Sequence, residues 1–384
     1  MMDRTLLARR RSFVPLGAQS AVWRLDGVLL VAVTGLCVIS TLLVWSSTRT
    51  WAPGSTGLVK KHMLNLAIGA TLCGAVAMVD HRLLRAYAPV VYLATLAGLG
   101  LVVTPVGTTV NGSHSWIMLG GGFAFQPSEF AKLGLVLMLA MLLAQPMEGS
   151  DRPRGLDVFL GLVAAAVSMG LVMLQPDLGT TLVLMVITAG ALIIGGVRKR
   201  WIFLLVMIGV AGAAAVWFLD LLEPYQIARF TAFLDPSVDP RGVGYNSTQA
   251  LIAIGSGQLF GKGLLDGGQT MGRFVPEQHT DFIFTVAGEE FGFLGSVTVV
   301  ILLGVVLLRG LQIARQCEDR FGTLVAGTIV CWLAFQSFVN IGMTVGIMPI
   351  TGLPLPFVSY GGTSTFANLI AIGLLQSIRV RGAQ

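Results

Sequence analysis

Ten long apolar runs divide this 384-residue sequence. Each is close to the roughly 20 residues that an α-helix needs to cross the hydrocarbon core of a bilayer. They run from Asp26 to Ser46, His62 to Asp80, Leu83 to Thr104, Pro127 to Gln145, Leu156 to Leu174, Leu178 to Gly196, Trp201 to Leu221, Asp281 to Leu308, Phe321 to Gly346 and Pro356 to Ile378. Lipid offers backbone N–H and C=O groups no hydrogen bonds, so such runs must satisfy themselves as helices. Only 11% of residues are charged and mean hydropathy is +0.80, against about 25% charge in soluble domains. The expected fold class is an all-α polytopic membrane protein with about ten transmembrane helices, one large extracellular loop and both termini cytoplasmic. Residues 1–25 form an N-terminal tail, 26–378 one membrane domain that includes the 222–280 loop, and 379–384 the C-terminus. No apolar-run spacing leaves room for an ordinary nucleotide-binding domain.

Charge orients the helices. With a cytoplasmic N-terminus, 17 of the 25 basic residues fall inside, seven fall outside and Lys132 lies in a span. The positive-inside rule favours that arrangement, and Lys60 and Lys61 are its exceptions. The first apolar run is too long for a signal-peptide core and has no clear cleavage site, so it reads as a retained helix. The pI near 9.4 reflects inside-loop arginines that meet anionic lipid head groups, with no need for a nucleic-acid partner. Cys37, Cys73, Cys317 and Cys331 are scattered, and neither a disulfide framework nor a CxxC or HExxH metal motif is present.

Polar chemistry concentrates in two external segments. Residues 105–126 hold NGSHSWIMLGGGFAFQ without a Lys or Arg, and 222–280 form the long loop. Loops of that length are functional or disordered; this one reads as an ordered cap at the membrane surface. Its acids face Arg229, Arg241, Lys262 and Arg273, which a solvated, charge-balanced loop would also explain. Asp281 follows His279-Thr280 and opens an apolar run, where it serves either as a helix N-cap or in chemistry. Glu129 and Lys132 share a helix face at i,i+3: either a buried structural pair or the border of a cavity in which Lys132 addresses a phosphate. Asp177, in QPDLGTT, sits at the outer end of a helix, and Glu289 and Glu290 lie two or more turns beyond Asp281. Together these groups suggest one polar cavity opening outward. Trp116 is either an interfacial anchor or a ligand contact. A divalent cation, Mg2+ or Mn2+, held by Asp281 and neighbouring oxygens is left open; no nucleotide or organic cofactor is expected.

Several motifs recur together. They are NGSHSWI, FQPSEFAK, QPDLGT, FLDPSVDPRGVGYNSTQALIAIGSGQLFGKG, FVPEQHTDFIFTVAGEEFG and, from Asn340 to Ser364, NIGMTVGIMPITGLPLPFVSYGGTS. In order and spacing they resemble the SEDS proteins (shape, elongation, division and sporulation), from about Trp23 onward. The resemblance implies a ten-helix peptidoglycan glycosyltransferase. It would polymerise lipid II, a disaccharide-pentapeptide on undecaprenyl pyrophosphate, at the outer face of the bacterial plasma membrane. The implied partners are a class B penicillin-binding protein and other elongation or division proteins. The family's essential acid falls on Asp281, while Glu129, Lys132 and Asp177 match further family positions. The RodA type, serving elongation and cell shape, is expected from the short C-terminus; the alternative is a division-type (FtsW) polymerase.

The residues agree with that resemblance on their own terms. Attack by a sugar hydroxyl needs a base, which Asp281 can supply. A departing pyrophosphate needs positive charge, from Lys132, Arg229, Lys262, Arg273 or a cation. A lipid flippase or transporter would instead gather polar groups at the bilayer midplane, often on broken helices; Gln336 and Asn340, at i,i+4, are the residues that favour it. A non-catalytic scaffold would tolerate Asp281→Asn.

Overall fold

The computed structural model describes residues 24–49, 56–110, 113–120, 123–145, 152–218, 227, 229, 231–233, 235 and 242–382. Residues 1–23 of the N-terminal tail expected at 1–25 and much of the loop between 219 and 241 lie outside them. Ten helices of 17 to 25 residues fall on the ten apolar runs. In chain order they begin with α1 (Gly27–Thr48), α2 (Gly57–Met78), α3 (His81–Val103), α4 (Pro127–Leu143), α5 (Gly155–Met173), α6 (Leu178–Ile194) and α7 (Lys199–Phe218). After α8 (Val243–Ser256), α9 (Gly268–Gly272) and α10 (Ile283–Glu290), the long helices resume with α11 (Gly292–Gln316), α12 (Arg320–Thr344) and α13 (Gly362–Arg381). Among the described residues, five helices, α1, α3, α5, α11 and α12, are long and apolar enough to cross a membrane by length and composition alone.

Short acids start several helices. Asp26, Asp80, Asp177 and Asp319 each accept a hydrogen bond from a backbone N–H in the first turn of α1, α3, α6 and α12, which satisfies donors a helix leaves open. Asp26 also takes two bonds from Arg309 Nε and one at 2.5 Å from Nη2, tying α1 to α11. At the centre α12 packs on α4, α6 and α11, while α13 packs on α2 and α3 on α4. Apolar residues on α3 and α7, such as Val90, Leu93, Phe203 and Val206, are exposed. Outward apolar faces of this kind are what a helix bundle presents to lipid tails.

Three boundaries differ from the sequence expectation. Asp281–Leu308 is not one helix: α10 ends at Glu290, and Gly292, with φ +65°, begins α11. Backbone from the large loop occupies that break. Phe293 N and Leu294 N donate to Gln258 O and Leu259 O, and Lys262 N and Gly263 N donate to Glu289 O and Glu290 O. A Cβ on Gly292 would fall on Gly261 N, so glycine is required there. The last long helix starts at Gly362, not Pro356, because 346–361 form an extended, proline-containing loop. Segment 105–126 holds three short antiparallel strands, β1 (Thr108–Val110), β2 (Ser113–Gly120) and β3 (Phe123–Phe125), in the order β1-β2-β3.

Candidate active site

A cavity of about 430 Å³ opens where the β-sheet, the 276–282 turn, the 346–361 loop and the first turn of α6 converge. Asp281, Asp177, Arg229 and Trp116 line it, together with Glu277, Asn65, Gln126 and Tyr360.

Asp281 is not a helix cap. Phe282 occupies that place and α10 has no side-chain cap, because the chain first makes a tight turn in which Thr280 N and Phe282 N both donate to Glu277 O. The turn is clamped from three sides. Asn340 Nδ2 donates to Asp281 O at 2.8 Å and to Leu353 O at 2.7 Å. Ser359 Oγ donates to Thr280 O. Gln278 Nε2 donates to Ser47 O and Thr270 O. These bonds leave the half-buried Asp281 carboxylate directed at the cavity wall. A Cβ added to Gly352 would lie 3.6 Å from both Asp281 Oδ2 and Arg229 Nη1, so acid and guanidinium flank one glycine. Burial, then the negative charge of Glu277, raises the Asp281 pKa to about 6; Arg229 pulls it down and Asp177 adds to the rise. Asp281 lies in the turn, well before the long helix α11.

The remaining expected residues separate. Asp177 both lines the cavity and caps α6, with its carboxylate taken by Thr180 N and Thr180 Oγ1. Glu129 and Lys132 are buried outside the cavity. Lys132 Nζ lies 2.8 Å from Glu129 Oε1 and 3.2 Å from Gln336 Oε1, over the Trp332 ring. Lys132 thus sits in a buried pair with Glu129 and does not line the cavity. Gln336 in turn donates to Pro354 O. The seam of Gln336 and Asn340 thus anchors the 346–361 loop and the Asp281 turn. Lys262 and Arg273 do not line the cavity either. Lys262 pairs with Glu289 at 3.0 Å, and Arg273 closes α9 in a left-handed conformation. Glu289 also accepts from Gln269 N, Thr270 N and Thr270 Oγ1, and Glu290 accepts from Ser46 Oγ. Both glutamates brace the large loop and do not join the cavity.

Lys61 is the functional candidate that sequence reasoning passed over. It lines the cavity, half-buried, with its ammonium 6.0 Å from the Phe123 ring. Its signal in the sequence was its departure from the positive-inside pattern.

The family model for cell cycle proteins of the FtsW, RodA and SpoVE type matches residues 24–383. The chain belongs to this family. Stage V sporulation protein E of Bacillus subtilis is 37% identical over 361 residues, 92% of this chain and 96% of that protein. Peptidoglycan glycosyltransferase MrdB of Escherichia coli is 35% identical over 354 residues, 92% and 93% of the two chains. A chain solved in a peptidoglycan synthase complex that coordinates polymerization and crosslinking superposes with TM-score 0.76 at 31% identity, over 92% of this chain and 97% of its own. With its several long apolar helices, this FtsW/RodA/SpoVE member is an integral membrane protein.

The site does not form a metal cage. Among the described residues no three His, Cys, Asp or Glu side chains converge as ligands, and Arg229 stands beside the carboxylate a cation would use.

Proposed function

We propose that the protein is a peptidoglycan glycosyltransferase that polymerises lipid II at the outer face of the bacterial plasma membrane. It would act in cell elongation beside a class B penicillin-binding protein. The observation that carries the reading is the placement of Asp281 and Arg229 beside Gly352 in a cavity also lined by Lys61. The enzymatic name of the MrdB relative and the synthase-complex neighbour support it.

The chemistry follows from placement. Asp281, ionised, takes the proton of the acceptor sugar hydroxyl as its oxygen bonds the donor's anomeric carbon. The bond from that carbon to the pyrophosphate oxygen breaks, and undecaprenyl pyrophosphate leaves with the electron pair. Arg229 and Lys61 supply positive charge where that negative charge grows. Burial, with the charges of Glu277 and Asp177, holds the Asp281 pKa up, which keeps it a strong enough base to accept a proton near neutral pH. In this reading all ten long helices span the bilayer, both termini are cytoplasmic, and the cavity opens outward.

Two measurements test this. The first is glycan-strand synthesis from purified lipid II by the protein copurified with a transpeptidase-inactive cognate partner, with moenomycin present to silence class A polymerases. Polymer from the wild type is expected; none from an intact complex overturns the reading in favour of a transporter or a scaffold. Complementation of elongation-depleted against division-depleted cells tests the elongation role, and rescue of division alone would reverse it. Within the same assay, Lys61→Gln is expected to lower kcat/KM about tenfold, as loss of one charge contact to a phosphoryl group does. An unchanged kcat/KM would remove Lys61 from the leaving-group site.

A further inference from the structure

At the opposite end of the bundle a second, smaller pocket of about 120 Å³ lies between the starts of α5 and α7. Arg152, Arg198, Arg200 and Trp201 line it, and Gly155 touches the Trp201 ring edge, where an added Cβ would be 4.0 Å away. Segments 152–157 and 197–201 hold five basic residues, Arg152, Arg154, Arg198, Lys199 and Arg200, against one acid, Asp157. The helix α5 begins at this pocket without a capping bond from the Arg154 side chain. Its 19 residues rise about 28 Å, so the pocket sits one hydrocarbon thickness from Asp177 and the active-site cavity.

The surfaces leading away from the pocket are apolar. On α5, Leu156, Phe159 and Leu160 are exposed, and on α7 Phe203, Leu204 and Met207 are exposed. A cationic pocket with a tryptophan at its rim and greasy helix faces beneath it matches one ligand chemistry: a phosphodiester head group carrying acyl chains. Arginine meets phosphate oxygens bidentately. Tryptophan prefers the head-group level, and basic pockets between helix ends at the membrane surface hold anionic lipids. A free phosphate would use the arginines but not the apolar faces. We propose that this pocket is a binding site for an anionic phospholipid, with its phosphate among Arg152, Arg198 and Arg200 and its chains along α5 and α7.

The test is lipid retention. The full chain is reconstituted in phosphatidylcholine nanodiscs containing a minority of phosphatidylglycerol, extracted mildly, and its bound lipid counted by native mass spectrometry. Phosphatidylglycerol is expected to be enriched over phosphatidylcholine. Arg198→Gln/Arg200→Gln should reduce that enrichment roughly thirtyfold, and Arg200→Gln alone roughly fivefold. Arg315→Gln, a charge loss at the end of α11 away from the pocket, should leave it unchanged. Equal retention of the two lipids, or equal loss in all variants, overturns the site. Displacement of the lipid by excess inorganic phosphate overturns the lipid assignment in favour of a soluble anion.

Discussion

Asp281→Asn is expected to abolish polymer formation by at least about a hundredfold, the scale of a lost general base, while making the protein more stable at neutral pH. The two effects share one origin. The cavity raises the carboxyl pKa to about 6 from 3.8, so the folded protein holds the ionised acid at a cost. The unfolded chain ionises at the lower value, and that cost is fully present above pH 6 and absent below 3.8. Asparagine removes it. The melting midpoint of the variant should therefore exceed the wild type above pH 6 and converge with it below pH 4, near the unfolded value. Wild-type turnover should fall as pH drops through about 6, as the base becomes protonated. Thermal melts in detergent at two pH values and a pH–rate profile check both halves. A polymerase as active as wild type would dismiss Asp281 as the base, and a destabilised Asp281→Asn would show that its carboxylate is held by favourable bonds.

Lys132→Ala should cost about 3–5 kcal/mol of stability, because it leaves Glu129 buried and unpaired. Replacing the pair as a unit behaves differently. Glu129→Leu/Lys132→Met removes both charges, and such swaps are often neutral or stabilising. The double variant should fold near wild-type stability and retain polymerase activity within about tenfold, since neither side chain reaches the cavity. Denaturation midpoints and lipid II turnover of the single and double variants decide the matter. A double variant that folds yet is as inactive as Asp281→Asn would mean that Lys132 acts on the reaction after all.

These two cases show what could be read from the chain and what could not. The ten apolar runs were legible because hydrophobic length is a local property, and the helices fall on them within a few residues except α11 and α13, which start later than expected. The break at Gly292 was not, since the loop backbone that fills it comes from residues 258–263 and leaves no pattern in the helix itself. The strands of 108–125 are too short to show a clear alternation. Asp281 could be singled out from its position, but its cap alternative failed because the Glu277 turn intervenes. The Glu129–Lys132 spacing fixed that the two would meet, not whether they would meet water. Lys61 was visible only as a misfit to the charge rule, because its place at the cavity depends on how α2 folds against the other elements.

The seam of four main-chain hydrogen bonds at the Gly292 break has a consequence for how the sequence can drift. Recognition there runs largely backbone to backbone, so the identities of Leu259 and Phe293 carry little of it, while Lys262 adds its ion pair with Glu289. Selection would act on the absence of side chains at Gly261 and Gly292 more than on the presence of any at their neighbours. Mutational scanning of 257–263 should then trace a tolerance profile of sharp minima at the glycines between permissive positions. Lineages could retune the outer surface of this loop for different partners without unfastening it from the membrane helices beneath.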